Sequence, residues 1–378
     1  MVCSAEKARQ LFFKKVPNCY WNPKLEVIET ETGDRTVIAS ESLREDDVLV
    51  VLNKDTTFGN DKAKQLTKAS FDSIEESLYI PAYLYQYYTK YVDNAPSGYE
   101  HYFDHLPTYD WYAENHLLLK TFLDNSGKDL KKLGSNLFLI SRILEMLEWI
   151  ETIPDHQPQP EQAIRSILIT STRSWSSVGL VPWIDFFNHS YEGSILSNEG
   201  TTIKATHDYK KGAEVNTSYG LKDSLQLLSI YGFVSDEKTL TIYRPNVSPF
   251  AIAIDSDLKR YQSFSEEFPF LISKELNNFN SFIAHFRLTV LKKYDTLFVE
   301  ELNESYKQVI NGENELQAVK LAFACVKETE KHLNKIIAQI KSVIEVLPKE
   351  FHDDFEAKFE IIKALNERLE EHWNDLIK

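Results

Sequence analysis

The sequence predicts an α+β chain: a β-fold split into two pieces by a helical insert, followed by an all-helical C-terminal region. Short strand-like runs near the start return in the middle of the chain. Helical periodicity occupies 61–161 and resumes beyond 245. Neither strand-rich piece has enough strands for a comfortable domain, so the economical arrangement joins them across the insert.

In residues 1–60 the strand-like runs are Thr36-Val37-Ile38-Ala39 and Val48-Leu49-Val50-Val51-Leu52. The charged turn Arg44-Glu45-Asp46-Asp47 precedes the second. In 61–161, Leu84, Tyr87 and Tyr91 recur at helical spacing, as do Leu137, Ile140, Ile143, Leu144 and Leu147. The prolines of Pro154-Asp155-His156-Gln157-Pro158-Gln159-Pro160 stop helices.

Strand character is expected again from Ile164 to Tyr243, within 162–244. There Thr201–Ala205 and Ala213–Thr217 flank the turn residues Lys210-Lys211-Gly212 as a hairpin-like unit. Tyr243-Arg244-Pro245-Asn246 reads as a boundary. In 245–378, Leu316, Val319, Phe323, Val326, Leu333, Ile337, Ile340 and Ile344 trace one helical face. Phe355, Phe359, Ile362, Leu365, Leu369, Trp373 and Leu376 trace another. These stripes read as bundle core; a groove for a partner is the sharper alternative.

The chain has 378 residues, room for two or three domains, and its 43% hydrophobic content is that of a globular protein. A formal charge of −15 argues against direct nucleic-acid binding, which wants a basic face, and suits a basic protein partner. The three cysteines, Cys3, Cys19 and Cys325, form no CxxC, which excludes a cysteine-rich zinc site and points to a reducing compartment. No apolar N-terminal segment resembles a secretion signal, and no apolar run reaches the roughly 18 residues of a membrane span. The expectation is a cytoplasmic or nuclear monomer with no membrane partner. No Gly-rich phosphate loop, helical His pair or local Ser/His/Asp signature is present, and no metal is expected.

Chemistry concentrates in two runs. Pro182-Trp183-Ile184-Asp185-Phe186-Phe187-Asn188-His189-Ser190 ends a bulky apolar stretch in polar side chains. Asn216-Thr217-Ser218-Tyr219-Gly220 follows. Taken singly, His189 reads as a satisfied core histidine and Tyr219 as one of 19 tyrosines. Taken together, Asp185-Phe186-Phe187-Asn188-His189-Ser190 and Thr217-Ser218-Tyr219-Gly220 resemble the paired signature of SET-domain protein methyltransferases. The insert, the helical C-terminal region and the lack of cysteine clusters resemble the Rubisco large-subunit methyltransferase class, which includes fungal ribosomal-protein lysine methyltransferases. Tyr99 to Pro107, ending in Phe103-Asp104-His105-Leu106-Pro107, and Tyr231-Gly232-Phe233 are similar to further segments of that class. Thr32–Ala39 departs from it, with one glycine where the class has Gly-x-Gly.

The resemblance implies a split SET β-fold, a C-terminal substrate-binding domain, S-adenosylmethionine as cofactor and a protein lysine as acceptor. It implies that Tyr219 faces the transfer, and that Asn188 and His189 hold the cofactor. Arg173 would pair with the cofactor carboxylate. Asp185 would lie beside cofactor and amine, its backbone carbonyl receiving the amine. Thr172, Arg173, Asp185 and Tyr219 would surround the substrate lysine. Tyr231 and Phe233 would wall the lysine channel or the cofactor, and Gly33, Asp34 and Arg35 would bring backbone groups to the cofactor. A ribosomal protein, large-subunit protein L12 first among them, is the substrate implied by similarity to the fungal enzymes. A histone, a translation factor, histidine N-methylation or a non-catalytic SET scaffold that docks a partner remain open alternatives.

Overall fold

The computed structural model describes residues 4–29, 34–67, 74–92, 95–96, 99–124, 138–175, 178–194, 196, 202–220, 222, 224–233, 239–242, 270–289, 312–340, 345 and 347–377. Gly33, Cys3, Ile344 and the expected boundary at 243–246 lie outside the described residues. The chain separates into two compact units, Met1–Gly220 with Ser229–Gly232, and Leu221–Leu228 with Phe233–Lys378.

The first unit begins with helix α1 (Ala5–Lys15), capped by Ser4, whose side chain accepts from the Lys7 N–H. Strands β1 (Tyr20–Trp21), β2 (Leu25–Glu29), β3 (Arg35–Ala39) and β4 (Val48–Val51) follow. The insert supplies α2 (Asn60–Leu66), α3 (Tyr79–Tyr88), α4 (Glu100–Asp104), α5 (Tyr109–Asn115), α6 (Leu117–Asp124) and α7 (Phe138–Ile150), and α8 (Pro160–Arg173) follows it. The rest of the unit's strands are β5 (Ser174–Trp175), β6 (Gly179–Leu180), β7 (His189–Ser194) and β8 (Thr202–Lys204), and the final turn of α9 (Ser224–Tyr231) also belongs to it.

Strands on either side of the insert pair with each other. β4 lies between β1 and β8, antiparallel to both, with Val50 opposite Trp21 on one side and Ile203 on the other. β3 forms a hairpin with β2, and on its other edge Val215 N–H donates to the Val37 carbonyl at 2.8 Å. The segments expected to form one hairpin therefore take separate partners: 202–204 joins β4, and 213–215 joins β3. The turn between them forms as expected, with Ala213 N–H donating to the Lys210 carbonyl at 3.0 Å.

Residues 164–173, expected to begin the second strand-rich piece, are helical instead. Pro160 stands in the first turn of α8, where its missing N–H costs nothing. Ala163, Ile164, Ile167 and Leu168 then repeat at helical spacing and are buried, and α8 packs against both α3 and α7. β-branched residues at 164, 167 and 169 gave the stretch a strand-like composition; packing of its apolar face overrode that weak preference. Arg165 anchors the helix to the insert, donating from Nε to the Pro107 carbonyl at 2.8 Å, with its guanidinium 3.6 Å above the Tyr88 ring.

Aromatic rings join insert and strands. Phe58 meets Tyr83, Tyr99 and Phe103 at centroid distances of 5.0, 5.6 and 5.3 Å, and Trp183 meets Tyr102 and Phe186 at 5.8 and 5.1 Å. Edge and tilted contacts of this kind add to the burial energy of each ring.

The second unit contains β9 (Thr239–Ile242), β10 (Phe270–Ser273), α10 (Phe279–Thr289), α11 (Gly312–Ile340) and α12 (Lys349–Ile377). The region beyond 245 was expected to be all-helical; β10 corrects this. The short apolar run Phe270-Leu271-Ile272 pairs antiparallel with β9, Ile272 opposite Leu240, and so satisfies the backbone of both strands. Charged groups are buried here in pairs. Arg287 donates to Glu315 through Nε and Nη2 at 2.5 and 2.7 Å, and Lys358 Nζ donates to the Thr239 carbonyl at 2.9 Å, 3.3 Å from Asp354. No described helix is long and apolar enough to cross a membrane.

Candidate active site

The site is built where the two polar runs meet. After β6 the chain enters a left-handed conformation at Trp183, φ 71°, unusual for a bulky residue. The surrounding rings hold it there, and the strained turn starts the short 3₁₀ helix Ile184–Phe186, which buries Asp185. Asn188 and His189 then lead into β7.

Asn216–Ser218 passes beside this segment. Thr217 N–H donates to the Asn188 carbonyl at 2.9 Å, while Ser194 N–H donates to the Asn216 carbonyl at 3.0 Å. Thr217 forms parallel bridges with both His189 and Ser194. Gly193 permits this approach: a Cβ there would stand 2.6 Å from the Thr217 carbonyl carbon and 2.9 Å from the Ser218 nitrogen.

Tyr219 is held at three points. Its N–H donates to His189 Nδ1 at 3.1 Å, its hydroxyl donates to the Phe187 carbonyl at 3.0 Å, and its ring stacks on Tyr231 at 4.7 Å with 30° between planes. Because Nδ1 of His189 accepts, the proton of the neutral imidazole sits on Nε2. Burial pushes the Tyr219 phenol well above its ordinary pKa, so it is protonated at neutral pH.

Arg173, the last residue of α8, donates from Nη1 to the Asp185 backbone carbonyl at 2.7 Å and lies 3.3 Å from its carboxylate. Burial raises the Asp185 carboxyl to about 6; the Arg173 guanidinium and the Tyr102 phenol pull the other way without cancelling it. Burial works against the Arg173 charge, but Tyr112, Asp185 and Tyr219 outweigh it and raise its pKa. Arg173 Nε is buried and has no hydrogen-bond partner among the described residues, so a planar donor remains for an anionic group.

The other expected site residues are placed as follows. The Thr172 hydroxyl donates to the Leu168 carbonyl at 2.8 Å, which makes Tyr112 the donor in the 2.9 Å contact between the two hydroxyls. Thr172 is thus turned toward its own helix and the insert. Asn188 is exposed and gives its carboxamide N–H to Glu214 at 2.7 Å; Thr36 of β3 reaches the same carboxylate. Arg35 pairs with Glu29 at 2.9 Å, donates to the His105 carbonyl and lies 5.5 Å from the Phe186 ring. Burial lowers its pKa, with Glu29, Arg173 and Asp185 all felt there, which puts Arg35 at the margin of the site. Asp34 immediately precedes β3. Phe233 belongs to the second unit.

Tyr102, Tyr112, Gly193 and Glu214 act on these groups and were not expected from sequence. Tyr102 alone had a signal, since it lies within the Tyr99–Pro107 segment. Among the described residues no three His, Cys, Asp or Glu side chains gather as a metal site.

No family model matches the chain, and no curated protein matches it. Among solved structures it is similar to the SET domain of LSMT bound to lysine and AdoHcy, with TM-score 0.47, 17% identity, and coverage of 99% of this chain and 93% of that one. The same domain bound to methyllysine and AdoHcy gives TM-score 0.46 and 17% identity over 100% and 94% of the two chains. Rubisco LSMT bound to AdoMet gives 0.44 and 17% over 99% and 93%.

Proposed function

We propose that this chain is a SET-class methyltransferase that transfers a methyl group from S-adenosylmethionine to the side-chain amine of a protein lysine. One observation carries the reading. The two runs that resemble the family signature meet in space: Tyr219 N–H bonds to His189, and Thr217 N–H bonds to Asn188. The buried Arg173–Asp185 pair acts electrostatically on the same tyrosine.

The residues fit the cofactor. Arg173 Nε is a buried donor awaiting an acceptor, suited to an amino-acid carboxylate. Asn188 keeps its side-chain oxygen for a donor, because its N–H goes to Glu214. When bound, S-adenosylmethionine supplies an activated methyl on a sulfonium sulfur, whose C–S bond breaks as the lysine nitrogen lone pair forms the new C–N bond, leaving a neutral thioether.

The chain's own part is to select and aim the amine. Free lysine has a pKa near 10.4, so only about one molecule in a thousand is neutral at pH 7.4. In this reading the stacked rings of Tyr219 and Tyr231 wall the acceptor channel, where desolvation would disfavour the ammonium. The Tyr219 hydroxyl spends its proton on the Phe187 carbonyl, so its oxygen accepts an amine N–H and orients the nitrogen lone pair. It does not serve as a base, because its phenol is protonated at neutral pH. The Asp185 carbonyl keeps a second lone pair beside the one used by Arg173, and offers it to the amine.

The charge of −15 suits a basic acceptor, and a ribosomal protein, large-subunit protein L12 first, is the substrate to test. The experiment is incubation with radiolabelled cofactor and total ribosomal protein, then mass spectrometry of the labelled band. Tyr219→Phe should keep cofactor binding and lose most of the transfer; full activity in that variant would remove Tyr219 from the mechanism. The cofactor product at 100 times its Kd should stabilise the protein by about 2.7 kcal/mol. An unchanged melting curve at high concentration would overturn the reading.

A further inference from the structure

Tyr231 is held from the helical insert. It ends α9, where the last carbonyls of a helix lack partners within the helix. One of these, the Ile230 carbonyl, and the Gly232 carbonyl just past the helix end, on the two sides of Tyr231, are taken by consecutive insert residues. His116 Nε2 lies 3.1 Å from the Ile230 carbonyl, and Leu117 N–H donates to the Gly232 carbonyl at 3.1 Å.

The histidine's other nitrogen fixes its tautomer. His116 Nδ1 accepts the Leu119 N–H at 3.2 Å, so it also caps the start of α6. The proton is therefore on Nε2, which donates to Ile230. His116 is 1% exposed, and burial lowers its pKa to about 4, so it is neutral at physiological pH.

Gly232 makes room for the ring. At φ 76° it adopts a backbone conformation that L side chains avoid, and a Cβ there would fall 2.3 Å from His116 Cγ. The ring fills the space that a side chain at 232 would need. The backbone is pinned on both sides of Tyr231, whose side chain stacks on Tyr219 at 4.7 Å.

We infer that His116 is a positioning residue: through the Ile230–Gly232 backbone it holds Tyr231 against Tyr219 and so sets the width of the acceptor channel. The link to the channel rests on the methyltransferase reading; the clamp on Tyr231 does not.

Two substitutions separate the functions of the ring. His116→Asn retains an acceptor near Nδ1 and loses the donor to Ile230. His116→Gln retains a donor near Nε2. The protein is labelled with 3-fluorotyrosine, and the Tyr231 resonance is assigned by its loss in Tyr231→Phe. In His116→Asn that resonance should shift or broaden while other tyrosine signals hold, and in His116→Gln it should stay in place. A Tyr231 signal unmoved in His116→Asn, or displaced in His116→Gln, would overturn the clamp. If His116→Asn does not fold, His116→Gln decides alone.

Methyl transfer is measured alongside, with total ribosomal protein as acceptor. His116→Asn should raise the apparent KM for acceptor about tenfold while leaving the Kd for the cofactor product within twofold, and His116→Gln should restore both. Equal losses in cofactor and acceptor binding would show general loosening and refute the assignment to the channel. No transfer by the unmodified protein would overturn the methyltransferase reading, and the fluorine spectra would still decide the clamp.

Discussion

Replacing Arg173 with methionine should destabilise the protein by an amount that depends on pH in a calculable way. Methionine keeps an unbranched chain in the space but removes the guanidinium 3.3 Å from the Asp185 carboxylate. That carboxylate is 1% exposed, so water does not replace the lost cation. The Asp185 pKa already stands at about 6, raised above the ordinary 3.8. A carboxyl raised in the folded state imposes no penalty below 3.8, an increasing one between 3.8 and 6, and a constant one above 6. In the native protein that plateau is about 3 kcal/mol. Without Arg173, the most the stranded group can cost is to be held protonated, about 5.7 kcal/mol at pH 8 and about 3 kcal/mol at pH 6. The electrostatic cost of the substitution is then at most about 2.7 kcal/mol at pH 8 and falls to about 0.4 kcal/mol at pH 6. Loss of the hydrogen bond to the Asp185 carbonyl adds about 1.5 kcal/mol at both values. The total at pH 8 matches the roughly 3–5 kcal/mol expected for breaking a buried pair. Urea unfolding followed by tryptophan fluorescence at the two pH values measures it. Equal losses of stability at pH 6 and pH 8 would refute the reasoning, because the Asp185 charge would then contribute nothing.

Other predictions rest on separate contacts. Gly193→Ala drives a Cβ to 2.6 Å from the Thr217 backbone, where nothing flexible can yield, and should cost about 1–3 kcal/mol with loss of the His189–Tyr219 contact. Denaturant midpoints and the 3-fluorotyrosine signal of Tyr219 test this; an unaltered midpoint would contradict the close approach. The His116 pKa is depressed from the ordinary 6.5 to about 4, so its burial as a neutral ring favours the fold fully above 6.5 and progressively less as pH falls toward 4. At pH 5 the loss should be about 2 kcal/mol, and His116→Gln should lack that part of the acid dependence in paired urea titrations.

Much of the candidate site was legible because its polar residues stand together along the chain. Asp185, Asn188 and His189 interrupt one apolar run, and Tyr219 sits in a short turn-like segment, so local pattern sufficed to single them out. The helices of the insert and those beyond 311 were legible for the same reason, since burial on one face imposes a 3.6-residue period. Residues 164–173 were not. Their isoleucines suit a strand equally well, and the decision came from the α3 and α7 faces that cover them. β10 was missed because a four-residue run is too short to show a period, and its partner lies across the 243–269 segment.

What the sequence by itself determined is the chemical inventory: which side chains are available, and on which kind of local element most of them stand. Tertiary structure alone decided their partners. Asn188 meets Glu214 across 26 residues, Thr172 meets Tyr112 across 60, and His116 meets Ile230 across 114. Such pairings carry no local signal, since closing a long loop costs little more than closing a short one and any of many polar groups could have satisfied each donor. Burial then set the protonation of the groups brought together. It kept Asp185 at a raised pKa beside Arg173, kept Tyr219 protonated, and left His116 neutral beneath the turn that carries Tyr231.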